Sequence, residues 1–198
     1  MLTPFLRAKF DVVAFDLDGT LVDSPLNLAA IRQELGWQDG CDLLQSLAML
    51  PDDASRQHAA EVIYRHEIQA AENSTLFPGV LDCLLQLQQS GIATAILTRN
   101  MRAATELMID KLGIPISLVL TREDCAAKPD PEGLQRIAAH YQAAMHRLLY
   151  VGDFHFDLST AANAGAQSCL LLNASNQQYA VNADWVMQDY AQLSRALR

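Results

Sequence analysis

At 198 residues the chain is long enough for one sizeable core with a small inserted domain, and 51% hydrophobic residues exclude extended disorder. A formal net charge of −9 excludes a nucleic-acid scaffold, which needs a basic stripe, and obliges any phosphate site to supply its own local cations. Cys41, Cys83, Cys125 and Cys169 are widely spaced and read as reduced thiols; with no apolar run of bilayer length, and with Lys9 and Asp11 interrupting any signal-like segment, the expected compartment is the cytoplasm.

Asp11 to Ala14 is a short, β-branched apolar run that reads as a buried strand, so Asp16 falls where the strand ends. After Ser24-Pro25 the texture changes to three helical segments, at Leu26 to Glu34, Asp42 to Met49, and from Pro51-Asp52-Asp53 to about Ala71. On the third, Ala59, Val62, Ile63 and His66 share a face, with Glu61, Arg65, Glu67 and Glu72 expected largely off it. Glu72 to Thr75 reads as a linker and Phe77-Pro78-Gly79 as a turn.

From there helix and strand alternate. The helices are expected at Val80 to Gln89, Met101 to Leu112, Asp130 to His140 and Phe156 to Ala164, and the strands at Ile92 to Leu97, Leu118 to Leu120, Leu148 to Val151 and Gln167 to Leu172. An edge strand at Trp185-Val186 and a terminal helix from Tyr190 to Leu197 complete the chain. Such alternation predicts an α/β protein with a doubly wound parallel sheet, a Rossmann-like core of residues 1–23 and 77–198, and an inserted helical cap over 24–76.

In open parallel sheets ligands bind beyond the carboxyl ends of the strands, so the residues that follow each strand carry the functional information. After the first strand come Asp16 and Asp18, two carboxylates separated by one residue, then Gly19, which permits a tight turn or the close approach of a ligand. Carboxylates so placed raise one another's pKa unless a hard divalent cation with oxygen ligands holds them together.

The string Asp16-Leu17-Asp18-Gly19-Thr20-Leu21-Val22-Asp23-Ser24 resembles the opening motif of the haloacid dehalogenase superfamily, matching it in full. The likeness extends to Thr98 and Asn100, to Lys128-Pro129, and to Gly152-Asp153 with Asp157 four residues on, and it looks closest to phosphoglycolate phosphatase-like members with helical caps. The resemblance implies Mg²⁺-dependent hydrolysis of a small phosphorylated metabolite, with Asp16 as nucleophile forming an aspartyl-phosphate and Asp18 as acid and base. Thr98 and Lys128 would hold the phosphoryl group, aided by Gly19, Arg99 and Asn100. Asp16, Asp153 and the Asp18 backbone carbonyl would hold the metal, with Asp157 between direct ligand and orienting residue.

Each position also has a plainer reading. Thr98 or Asn100 would serve as a helix N-cap, Arg99 as a surface residue, Lys128 as a surface lysine before a helix start, and Asp157 as a favourable charge in the first turn of a helix. His155 sits in the same loop without an implied role. The cap offers Arg32, Arg56, Arg65, His58 and His66 against several acids, so no second anionic group on the substrate is plainly implied. Dehalogenases lack the second carboxylate, so Asp18 points to phosphoryl chemistry. The alternatives are a sugar-phosphate mutase, for which the cap is short, and a non-enzymatic phosphoacceptor module, which a base at Asp18 disfavours. Neither nucleic acid nor membrane is an expected partner, and the expected state is a monomer or weak homodimer.

Overall fold

The structure, a computed structural model, describes residues 10–196. The chain begins with β1 (Val12–Phe15) and the two-residue β2 (Val22–Asp23), passes through α1 (Leu28–Leu35), α2 (Leu43–Ala48) and α3 (Asp53–Glu72), and returns through β3 (Thr75–Leu76). Helix and strand then alternate through α4 (Val80–Gln89), β4 (Ala93–Leu97), α5 (Arg102–Leu112), β5 (Leu118–Leu120), α6 (Glu132–His140) and β6 (Leu148–Gly152). The last elements are α7 (His155–Ala164), β7 (Gln167–Leu171), β8 (Trp185–Met187) and α8 (Tyr190–Ala196). Leu197, expected to end the last helix, lies outside the described residues.

Six strands pair in the order β5-β4-β1-β6-β7-β8, all parallel. The period-two alternation of a strand splits its side chains between two cores. Val13 and Phe15 of β1, with Leu149 and Val151 of β6, face the layer that includes α4, α5 and α8. Val12 and Ala14, with Leu148 and Tyr150, face the layer that includes α6 and α7. Burial on both faces is why these strands read as continuous apolar runs rather than alternating ones.

The three helices between β2 and β3 have their own small core, in which Ile31, Val62 and Ile63 are buried among Leu26, Leu35, Trp37, Leu43 and Leu47. β2 and β3 pair antiparallel, Val22 opposite Leu76 and Asp23 opposite Thr75, so the chain leaves and re-enters the sheet domain through one two-stranded ribbon. Thr75, expected in a linker, is therefore a strand residue; two residues are too few to show a period. Glu67 also departs from expectation. It is buried at 7% exposure, because α3 packs on α5 and brings this carboxylate to Arg122, 2.6 Å away. Among the described residues no helix is long and apolar enough to cross a membrane.

Candidate active site

β1 lies between β4 and β6, and the chain crosses from it in opposite directions, which opens a crevice beyond the strand tips. Asp16 emerges there with its backbone N–H bonded to the Val151 carbonyl at 2.8 Å, locking it to the end of β6. Thr98 emerges at the end of β4, its N–H bonded to the Leu120 carbonyl at 2.9 Å. Asp153 follows β6 directly, and Asp157 lies one turn into α7. Residues up to 141 positions apart in the sequence thus meet because three adjacent strands end together.

Lys128 is buried, and its Nζ donates to Asp16 Oδ1 and to Asp157 Oδ1, each at 2.6 Å. It is a site cation rather than a surface lysine. Burial works against its ammonium, but Asp157 and Asp16 outweigh that cost and its pKa is raised, so it stays charged. Asp157 is engaged on both oxygens: Oδ1 also accepts from the Tyr150 hydroxyl at 3.3 Å, and Oδ2 accepts the Phe154 N–H at 3.0 Å. Its carboxylate presses against Gly152, where an added Cβ would fall 2.3 Å from it. These contacts suit Asp157 to orienting Lys128 and the loop.

Carboxylate oxygens of Asp16, Asp153 and Asp157 lie within 4.8 Å of one another. Burial pushes Asp16 upward, against the pull of Lys128 and helped by Asp157 and Asp153. Burial, with Asp157 next, raises Asp153 to about 7. Asp18 stands apart: its Oδ2 accepts from the Ser24 hydroxyl at 2.8 Å, and burial raises it to about 6 despite that bond, with Glu67 adding to the rise. The Asp18 carboxylate is outside the three-carboxylate cluster and lines the cavity between cap and core.

Gly19 takes φ 82°, and a Cβ there would meet the Asp153 carboxylate at 2.8 Å. Only a residue without a side chain lets the two loops approach this closely. Its own N–H is committed to the Val22 carbonyl at 2.8 Å, and it does not line the cavity. Thr98 Oγ1 accepts the Asn100 N–H at 3.1 Å, and both residues line the cavity. Neither is the N-cap of α5, which is Met101. Carboxylates from elsewhere cap that helix: Glu67 Oε2 accepts the Met101 N–H and Glu123 Oε1 the Arg102 N–H, each at 3.1 Å. A cap supplied by another helix leaves no local signal, which is why Thr98 looked available for the task.

Arg99 is not a surface residue. Its guanidinium lies 4.4 Å from the centre of the Phe156 ring and pairs with Asp42 of the cap at 2.6 Å. With Glu67–Arg122 it forms one of two ion pairs that join cap to core beside a cavity of about 370 Å³. Asp16, Asp18, Thr98, Lys128, Asp153 and Asp157 line its floor. His155 lines it too, packed between Phe154 and Phe156.

Residues 13–171 match the family model for haloacid dehalogenase-like hydrolases. The chain belongs to this family. An uncharacterized hydrolase of Saccharomyces cerevisiae, YOR131C, is 32% identical over 171 residues, covering 83% of this chain and 78% of its own. A phosphoglycolate phosphatase of Vibrio cholerae is 30% identical over 189 residues, covering 79% and 82% respectively. Among solved structures, a haloacid dehalogenase-like hydrolase from Bacteroides fragilis superposes with a TM-score of 0.77 at 25% identity, covering 93% of this chain and all of its own.

In this haloacid dehalogenase-like hydrolase the donor set fits a hard divalent cation: three clustered carboxylates, no sulfur or imidazole, and raised carboxyl pKa values that a cation would lower. The sequence offered no sign of Asn176, which holds this cluster from behind. Buried at 2% exposure, its Nδ2 donates to the Asp153 carbonyl at 2.8 Å and to the Leu171 carbonyl at 2.9 Å, while its Oδ1 accepts the Asn173 N–H at 2.8 Å. Asn176→Ala is expected to destabilise the fold by about 2 kcal/mol in urea melts, because three backbone groups, the Leu171 carbonyl buried and the other two partly buried, lose their partner. An equally stable variant would show that water replaces the amide without loss.

Proposed function

We propose that this hydrolase cleaves small-molecule phosphate monoesters through an aspartyl-phosphate on Asp16. One observation carries the reading: a buried Asp16 held by Lys128 beside Asp153, with a second carboxylate, Asp18, kept apart from the cluster and facing the same cavity. Two carboxyl groups in different environments take different roles, nucleophile and proton carrier.

An Asp16 oxygen attacks phosphorus as the ester P–O bond breaks, and protonated Asp18 gives its proton to the leaving alkoxide. Water then attacks the phosphorus of the aspartyl-phosphate, Asp18 takes its proton, and phosphate departs with the Asp16 carboxylate restored. Lys128 and Thr98 neutralise and bind the phosphoryl oxygens, while Gly19 lets the Asp153 loop approach. Mg²⁺ held by Asp16, Asp153 and the Asp18 backbone carbonyl, with Asp157 adjoining, would offset the charge of nucleophile and phosphoryl group. The names of the phosphatase relatives support phosphoryl transfer to water and make phosphoglycolate the first compound to assay.

A panel of phosphate esters assayed with Mg²⁺ and with a chelator tests this reading. Metal-dependent phosphate release is expected. Conversion of a sugar 1-phosphate to its 6-phosphate without free phosphate would instead establish a mutase.

The raised acids also make metal binding visible in stability. Asp18 and Asp153 have folded pKa values of about 6 and 7, above their unfolded ones. Between about pH 4 and those values the folded chain binds more protons than the unfolded chain, so stability falls as pH rises. Mg²⁺ relieves that crowding. At saturation it is expected to raise Tm by roughly 5–10 °C at pH 8 and by clearly less at pH 5. An equal shift at both values would remove carboxylate crowding as the reason this site takes a cation.

A further inference from the structure

Of Arg32, Arg56, Arg65, His58 and His66 in the helical insert, only Arg32 lines the cavity. Arg65 and His66 are taken up by Glu34, and Arg56 by Asp53 and the Leu50 carbonyl. The other cations on the cavity wall are neutralised by carboxylates: Arg99 by Asp42, Arg122 by Glu67, and Lys128 by Asp16 and Asp157. Arg32 differs. Its Nε donates to the Cys41 carbonyl at 2.9 Å, which fastens the guanidinium, and its two terminal nitrogens have no partner among the described residues.

An unpaired, half-buried guanidinium lining the same cavity as Asp16 and Lys128, in a chain of net charge −9, has the chemistry to take an anion. The fork of terminal N–H groups matches a carboxylate or phosphate in a bidentate geometry, and the Cys41 bond lowers the entropy lost on capture. The apolar part of the cavity lining includes Leu26, Leu43, Leu44, Ile63, Phe154 and Phe156. A cavity of about 370 Å³ holds a body of several carbon atoms beyond the phosphoryl group.

Resting on the phosphatase reading, we propose that Arg32 determines specificity by binding a negatively charged terminus on the leaving group, so that the substrates are phosphate esters with an apolar body ending in an anion. A purely structural role for Arg32 would be a favourable charge in the last turn of α1. That role is indifferent to the substrate.

The test uses matched esters, 4-carboxyphenyl phosphate and its neutral isostere 4-carbamoylphenyl phosphate, together with the two 3-substituted isomers. The readout is the ratio of kcat/KM, carboxylate over carboxamide, which does not depend on how much protein is active. The wild type should prefer the carboxylate in at least one isomer pair. Arg32→Gln should reduce that preference about 10- to 100-fold, and Arg32→Lys should restore part of it. A wild-type ratio near one in both isomer pairs, or a ratio unmoved by Arg32→Gln, overturns the proposal. Calorimetric titration of the same esters into Asp16→Asn and Asp16→Asn/Arg32→Gln proteins with Mg²⁺ reads the same preference without turnover. Absence of hydrolysis by the wild type would therefore defeat the phosphatase reading alone, while absence of an Arg32-dependent difference in Kd would defeat this one.

Discussion

Asp16→Asn should abolish Mg²⁺-dependent phosphate release, with a loss of at least about 10⁴-fold in kcat, because an amide oxygen is a poor nucleophile toward phosphorus. The position makes the expectation specific. Asp16 is fastened to the end of β6 through its N–H, and its carboxylate sits between Lys128 and Asp153. Asparagine keeps the volume and a carbonyl oxygen for Lys128 to reach, and it removes the carboxyl group that burial, Asp157 and Asp153 push upward in pKa. The variant should therefore fold at least as stably as the wild type without metal while losing turnover. Rapid-quench measurement of phosphate, alongside a urea melt of the same preparation, separates the two effects. Turnover within tenfold of wild type would end the covalent mechanism.

Lys128→Met carries the second large effect, and here activity and stability fall together. Removing the ammonium strands Asp16 and Asp157, both buried, with only Tyr150 and the Phe154 N–H left to Asp157. Breaking one partner of a buried ionic cluster costs about 3–5 kcal/mol, and loss of a preorganised cation at the phosphoryl group about 10²- to 10³-fold in kcat. The direction with pH follows from the same charges. Lys128 is what pulls the Asp16 pKa down against burial, so without it Asp16 holds its proton more tightly in the folded chain and the variant should lose stability relative to wild type as pH rises from 5 to 8. Urea melts at both pH values measure it. A variant as stable as wild type at pH 8 would mean that Lys128 is not what balances these carboxylates.

Among the described residues two ion pairs, Arg99–Asp42 and Glu67–Arg122, join the α1–α3 region to the sheet domain. Arg99 follows Thr98 in sequence, and two residues on Glu67 Oε2 accepts the N–H of Met101, the N-cap of α5. The segment from Thr98 to Arg102 is thus tied to the α1–α3 region through Asp42 and Glu67. The cap that presents Arg32 is held on the same strand tips that present Asp16 and Asp153.

Local chemistry made much of the fold legible. Apolar runs marked the sheet strands because both faces are buried, and Gly113 ended α5 in the left-handed conformation that glycine adopts without cost. The short string from Asp16 to Ser24 stood out by its two carboxylates one residue apart, but the structure sets the Asp18 carboxylate on Ser24 and away from the Asp16 cluster, so the crowding expected between those two falls instead among Asp16, Asp153 and Asp157. Other features had no local trace. Two-residue strands are shorter than any period, and Glu67 was assigned to the solvent side because a helical wheel has no knowledge of Arg122.

The sequence by itself determined the order of the sheet strands and helices, the run of three helices after the first strand, and the identity of the residues at the strand tips, since each depends on neighbours within a few positions. Only the tertiary structure decided which of those residues meet, that Asp157 holds Lys128, that Asn176 buttresses Asp153, and that among the described residues Arg32 is left without a counter-charge at the cavity. Those outcomes depend on pairing, burial and electrostatic balance between segments far apart in the chain, quantities that come into existence only when the segments pack.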